Sequence, residues 1–270
     1  MPNTNQPEAF DNTTAQEKMR QVQSNFGAAA ADYVTSKVHA SGKDLAWLAE
    51  LTDLTGTERV LDVGTGGGHA AFAIAPHVAE VVALDLTQPM LEAAQQEAIA
   101  RQLYNIRFLV GDAQNMPCAD ACFDVVTCRK AAHHFPYLHQ AIREWARVLK
   151  PNGKLALVDS ISPEEPDMDI YLNEIETLRD PSHVHNYKLS EWITFLTEAG
   201  FTISTTREWT ILLDIPTWTK RMRTPAESVA IIEQRLHDAP PATHTRLHIE
   251  EQDGVWSFKL PTALIIAIKR

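Results

Sequence analysis

Val60-Leu61-Asp62-Val63-Gly64-Thr65-Gly66-Gly67-Gly68-His69 reads as a strand, a glycine turn and the first residue of a helix. The apolar run after it, Val81-Val82-Ala83-Leu84, ends on an acid, Asp85. A strand buried on both faces must be apolar throughout, and a sharp reversal at its end needs residues that tolerate positive φ. Asp85 stands 21 residues after Gly64, where a second parallel strand would finish. Strand, glycine turn, helix and acid-tipped strand form the layout that holds an adenosine-bearing compound at the open edge of a parallel sheet.

The same alternation extends outward for about 150 residues. Strands are predicted at Arg59 to Val63, Glu80 to Asp85, Ile106 to Val110, Phe123 to Cys128 and Lys154 to Asp159. Helices are predicted between them at His69 to Ala75, Pro89 to Arg101 and Leu138 to Leu149, with Thr87 placed to cap the second. Near-continuous Val/Leu/Ile strands separated by helices predict an α/β fold with a parallel sheet covered on both faces. Upstream, residues 1–25 carry few large apolar side chains and are expected to be a disordered tail, and residues 26–57 a helical cap. Downstream, the polar segment Ser162 to Tyr187 with a helix around Ile170 to Leu178 is expected to be a lid. Ser190 is expected to cap a helix over Glu191 to Ala199, followed by strands at Phe201 to Leu213 and Ser257 to Ile268, with an insertion over 216–252 between them.

The chain has 270 residues, 44% hydrophobic and 22% charged, which suits one large core with an appendage. A formal charge of −11 argues against a phosphate backbone as partner, and Lys220-Arg221-Met222-Arg223 is read as a solvated face. The polar N-terminus lacks a secretory core and the apolar run Ala263 to Ile268 is too short to span a membrane, so a cytoplasmic protein is expected. Cys118, Cys122 and Cys128 have no zinc-site spacing and are read as reduced structural thiols.

His69 stands where a dinucleotide fingerprint places its third glycine, the one that admits a pyrophosphate at the helix N-terminus. Its absence favours a cofactor without phosphates, and S-adenosylmethionine fits that description. Asp85 then anchors the ribose, one carboxylate accepting from two vicinal hydroxyls; the competing reading is a strand-end cap. Asp112, in Val110-Gly111-Asp112-Ala113, is placed to accept from the adenine amino group beside the Ala113 amide, or else forms a turn. Met90 either covers the adenine or fills the core.

The segments VLDVGTGGGH, VVALDLT, FLVGDAQNMP, FDVVTCRKAAHHF and RVLKPNGKLALVD resemble, in order and spacing, the class I S-adenosylmethionine-dependent methyltransferases. The likeness is to the ubiquinone/menaquinone-biosynthesis-like branch, and it extends over about residues 26 to 270 through Leu178 to Val184 and the run around Trp218. The resemblance implies a Rossmann-like, seven-stranded, mostly parallel sheet with an antiparallel last strand, and a methyltransferase domain over 58–270. It also implies that Asp62, Gly64, Gly66 and Gly68 line the methionine end, Asp85 and Leu86 the ribose, and Asp112 with Ala113 the adenine. Cys128 and Arg129 pass beside the cofactor by the same analogy, and Tyr33 closes over it. No Asn-Pro-Pro-aromatic tetrad follows the fourth strand, which disfavours a nucleobase amine as acceptor.

Methyl transfer is an in-line displacement in which position and water exclusion supply most of the rate; a base is needed only where the acceptor must lose a proton. His133 and His134, directly after strand four, are the catalytic or positioning candidates, with bonding to loop backbone as the alternative. They do not make a metal pair, and no metal is expected. On the lid, Arg179, Asp180, His183 and His185 are candidates for substrate contact or gating, although a surface ion pair also explains Arg179 and Asp180. Cys118 follows a proline but precedes strand four, so it is read as an ordinary thiol. The favoured function is methylation of a small molecule by a monomer or homodimer. The alternatives are a nicotinamide-dependent reductase, against which His69 counts, and a non-catalytic S-adenosylmethionine-binding protein.

Overall fold

Eight strands form one sheet in the computed structural model, which describes residues 12–34 and 42–270, with backbone alone at 12 and 28–34. β1 (Arg59–Val63), β2 (Glu80–Asp85), β3 (Ile106–Val110), β4 (Phe123–Arg129) and β5 (Leu149–Ser160) run parallel in the spatial order β3-β2-β1-β4-β5. β8 (Val255–Lys269) lies between β5 and β6 (Phe201–Asp214), antiparallel to both. The order reverses between β1 and β4, and at such a switch point the loops on the two sides diverge and leave a crevice.

Alternating residues of the central strands serve two apolar layers. Leu61, Val63, Val126, Leu155 and Leu157 pack against Ile142, Trp145 and Val148 of α5 (Leu138–Val148) and against Trp192 and Leu196 of α7 (Leu189–Glu198). Val60, Ala83, Val125, Ala156 and Val158 meet Leu45 and Leu48 of α2 (Lys43–Leu51) and Ala71 and Ile74 of α3 (His69–Ile74). Each large side chain enclosed in this way contributes about 1.5–3 kcal/mol. α4 (Gln88–Ala100) covers the β2–β3 end, burying Ala94 and Ala98 with Phe72. Thr87 holds its N-cap position without a side-chain cap bond.

Lid and insertion share a second core. Leu172 and Ile175 of α6 (Pro166–Arg179) pack with Trp218 of α8 (Ile215–Met222), Ile232 and Leu236 of α9 (Ala226–His237), Leu247 of α10 (Pro241–Leu247) and Phe258 of β8. Pro240 is the N-cap of α10 and Pro241 its first residue, where a missing N–H costs no helix bond.

The structure differs from the sequence expectations in three places. Residues 12–25, expected in a loose tail, form the first part of α1 (Asn12–Val34). Ala15, Met19, Val22 and Phe26 recur at helical spacing; Ala15 is buried and the other three face the site described below, so a thin stripe is enough to dock the helix. An additional strand, β7 (Glu250–Gln252), pairs with β8. Asp253 and Gly254 both take positive φ between them, +52° and +79°, which is the two-residue hairpin turn that Asp-Gly favours. The α7 cap belongs to Lys188, whose amide donates to Glu191, because the Ser190 hydroxyl is already committed to Glu164.

Candidate active site

At the switch point a cleft of about 1020 Å³, measured out to its mouth, opens above the ends of β1, β2 and β4. Its floor is the glycine turn, its walls are the residues following β2, β3 and β4, and its roof is Met19, Val22 and Phe26 of α1.

Asp62 is 1% exposed, its carboxylate accepting from the Thr65 hydroxyl at 2.6 Å and the Thr127 hydroxyl at 2.7 Å. Burial pushes its carboxyl up, and the two hydroxyls oppose that shift. Asp85 joins the turn to the second strand: Oδ2 accepts from the Gly66 amide and Oδ1 from the Thr87 amide, each at 2.8 Å. Burial also raises Asp85, against the pull of those amides. Gly64 has φ +65°, and a Cβ there would lie 2.6 Å from the Ala131 Cβ. Gly68, at the N-cap of α3 with φ +83°, has the Phe72 ring where a Cβ would go. The glycine turn therefore fits tightly against both neighbours and is not merely a flexible reversal.

Beyond β3, Asp112 Oδ1 accepts from the Gln114 amide at 2.8 Å and the Gln114 side-chain nitrogen at 3.0 Å. Gln114 Oε1 in turn accepts from the Tyr137 amide at 2.6 Å, tying this wall to the opposite one. Ala113 and Met90 are buried beside it, and the Leu86 carbonyl accepts from Gln23 of α1 at 3.2 Å. α1 is further held by Lys18, whose ammonium donates to the Pro181 and His183 carbonyls at 2.6 and 2.9 Å.

The end of β4 carries the charge. Arg129 Nε donates to Asp44 of α2, and both side chains are buried. The second terminal nitrogen of Arg129 has no partner among the described residues. Lys130 follows with φ +52°, and burial pulls its ammonium down to about 8, helped by neighbouring Arg129. Cys128 faces away, into the core under α5, where burial holds its thiol well above 9.

His133 and His134 part company. His134 lines the cleft, its ring edge-on to Phe26 with centroids 5.2 Å apart. Its Nδ1 lies 3.1 Å from the Ser182 carbonyl, so that nitrogen donates. Burial and the adjacent His133 lower it to about 4, leaving it uncharged at neutral pH. His133 sits behind it, Nδ1 at 2.6 Å from Asp159 Oδ1 with its amide on Oδ2 at 3.1 Å. Burial alone would lower His133, but the Asp159 carboxylate outweighs it and the net shift is upward.

The cleft thus brings together Asp62, Gly64, Gly66, Asp85, Leu86, Met90, Asp112, Ala113, Arg129 and His134. Gly68, Cys128 and His133 stand just behind it. His183 is buried under the lid, its ring nitrogen 3.0 Å from Asn173 Oδ1. Arg179 reaches Glu176 at 3.5 Å and lies over the Trp218 ring; the described residues show no surface pair between it and Asp180, which is buried and accepts from the Ser182 amide and hydroxyl. The Tyr33 side chain lies outside the described residues. Sequence reasoning missed Thr65, Thr127, Gln114, Lys130 and the α1 roof. Of these only the roof left a pattern, the spacing of Met19, Val22 and Phe26.

A sequence profile described as "Methyltransferase domain" matches residues 61–157. The uncharacterized methyltransferase YcgJ of Bacillus subtilis (strain 168) is 38% identical over 247 residues, 91% of this chain and 98% of the relative. Its crystal structure superimposes with a TM-score of 0.81, covering 84% of this chain and 98% of that one. The BH2331 protein of Bacillus halodurans gives 0.82 at 38% identity, over 84% and 99%. A demethylmenaquinone methyltransferase of Deinococcus radiodurans is 39% identical over 155 residues, 55% of this chain and 64% of the relative.

Proposed function

Because the chain belongs to the class I S-adenosylmethionine-dependent methyltransferases and takes S-adenosylmethionine as its cofactor, we propose that it methylates a small molecule enclosed between the sheet edge and α1. The observation that carries this reading is the roofed cleft, whose apolar α1 face closes over the acid-tipped β2. When bound, S-adenosylmethionine supplies a methyl group activated on a sulfonium.

The residues present fit that group. Asp85 uses one lone pair of each oxygen on the Gly66 and Thr87 amides and keeps the others for the two ribose hydroxyls, with Leu86 beside it. Asp112, held by Gln114, and the Ala113 amide take the adenine edge, and Met90 takes its face. Asp62 and the Gly64–Gly66 turn form the methionine end, Gly68 setting the path of that turn and Arg129 forming the adjoining wall with Cys128 behind it. Tyr33 belongs to α1, and Arg179 and His183 to a lid that packs behind the cleft without lining it.

Catalysis by this chain then consists chiefly of alignment and water exclusion by Met19, Val22, Phe26, Ala131, Phe135 and Pro136. His134 offers an uncharged ring at the acceptor side, and His133, clamped by Asp159, fixes its position from behind. The test supplies radiolabelled methyl donor with a cell extract split by size. Label recovered in low-molecular-weight material supports the reading; label confined to protein or nucleic acid overturns the small-molecule assignment.

A further inference from the structure

Two cations, Arg129 and Lys130, follow one another at the end of β4 and line the cleft, and Arg129 has Asp44 for a partner. Arg129 spends its Nε on Asp44 but keeps a buried terminal nitrogen without a partner among the described residues. Lys130 lines the same wall, and its ammonium has no hydrogen bond or ion pair among the described residues. The charges that face it are Arg129 and Arg221 on one sign and Asp44 and Asp159 on the other, and both acids are engaged elsewhere, on Arg129 and His133. The Lys130 backbone is held in the left-handed region, its amide donating to the Val158 carbonyl at 2.7 Å, so the strained turn fixes where the side chain leaves.

The three acids of the cleft are, by contrast, each met by donors of their own: Asp62 by two hydroxyls, Asp85 by two amides, Asp112 by Gln114. The amino-acid part of S-adenosylmethionine carries one carboxylate and one ammonium, so it cancels itself, and the sulfonium adds a further positive charge. A bound cofactor therefore brings no net negative charge to Lys130. The surroundings are apolar, with Ala131, Phe135, Pro136 and Phe26 next to it. Resting on the methyltransferase reading above, we propose that the methyl acceptor carries an acidic oxygen group on an apolar body, and that Lys130 receives that group.

The experiment titrates protein saturated with S-adenosylhomocysteine against benzoate, phenylphosphonate and benzamide by calorimetry, with Lys130→Met and Lys130→Arg in parallel. Either anion binding native protein at least ten-fold more tightly than benzamide is the expected result, and the stronger of the two distinguishes a carboxylate from a phosphorus acid. Lys130→Met should reduce that preference to within two-fold and leave S-adenosylhomocysteine affinity within two-fold; Lys130→Arg should keep the preference. Equal binding of all three probes, or of none, overturns the proposal. So does a Lys130→Met variant that weakens S-adenosylhomocysteine ten-fold and retains the preference, since Lys130 would then serve the cofactor. If native protein fails to bind S-adenosylhomocysteine at all, it is the underlying methyltransferase reading that falls.

Discussion

Replacing Asp85 by alanine separates two roles that one carboxylate performs. In the fold it accepts from the Gly66 and Thr87 amides at 2.8 Å each, so the variant leaves two N–H groups without their acceptor. An orphaned buried donor costs about 1–3 kcal/mol. At roughly 2–4 °C per kcal/mol in a protein of this size, the thermal midpoint should fall measurably. Toward the cofactor the variant also loses the charge-assisted bonds to the ribose, worth about 1.5–3 kcal/mol, or roughly ten- to a hundred-fold in Kd. Calorimetric titration of S-adenosylhomocysteine well below the melting transition measures the second effect apart from the first. Asp85→Asn should fall between the two proteins, since its carbonyl oxygen still serves one amide but carries no charge. A folded Asp85→Ala variant that binds S-adenosylhomocysteine within two-fold of the native protein would refute the ribose assignment, whatever its melting temperature.

Gly64→Ala should destabilise by about 2–4 kcal/mol in urea unfolding, from left-handed backbone plus the crowding of Ala131, and Ala131→Gly in the same chain should recover part of it; no recovery would mean the close approach is immaterial. Asp44→Ala leaves the buried Arg129 charge uncompensated and should cost about 3–5 kcal/mol, whereas Asp44→Ala with Arg129→Met should cost clearly less. His134 is held near 4 in the fold against about 6.5 unfolded, so the unfolded chain binds the extra proton first and stability is lost as pH falls from 6.5 toward 4, by about 3 kcal/mol. His133, raised by Asp159, acts in the opposite sense, stabilising below 6.5 and ceasing to do so as pH rises through its folded value. Unfolding free energies from pH 7.5 to 4.5 should therefore show a shallower acid decline in His134→Gln, and an unchanged slope would count against that ring being buried uncharged.

The strands and the glycine turn were readable because burial on both faces leaves a local trace: Val60-Leu61 and Val81-Val82-Ala83-Leu84 are apolar without interruption. Asp85 was readable because its place is fixed by the length of one strand-helix-strand unit. The partners of these residues leave no such trace. Thr127 meets Asp62 from a strand 65 residues away, and Asp159 meets His133 across 26 residues, contacts decided by the register of β1, β4 and β5. Neither threonine nor aspartate announces a partner it will find only in the folded sheet. α1 escaped for another reason: its apolar stripe is one residue per turn among polar neighbours, too thin to separate from a solvated chain until the cleft it covers is known. The Asp253-Gly254 hairpin, by contrast, was legible and overlooked, its signal being only two residues long.

Among the described residues β6 has a single neighbour in the sheet, β8, and the two are matched from Phe201 opposite Lys269 to Asp214 opposite Ser257. β5 depends on the same strand along its outer side. Until residues 255–269 slide between them, a growing chain carries two long, unzipped backbone ladders facing each other across a gap, each a template for another molecule's strand. Shortening the polypeptide within that stretch would not trim the sheet at its margin. It would split the sheet, releasing β6 with the helices anchored to it, so that nascent or truncated chains should partition into aggregates while the half bearing the glycine turn keeps its pairing.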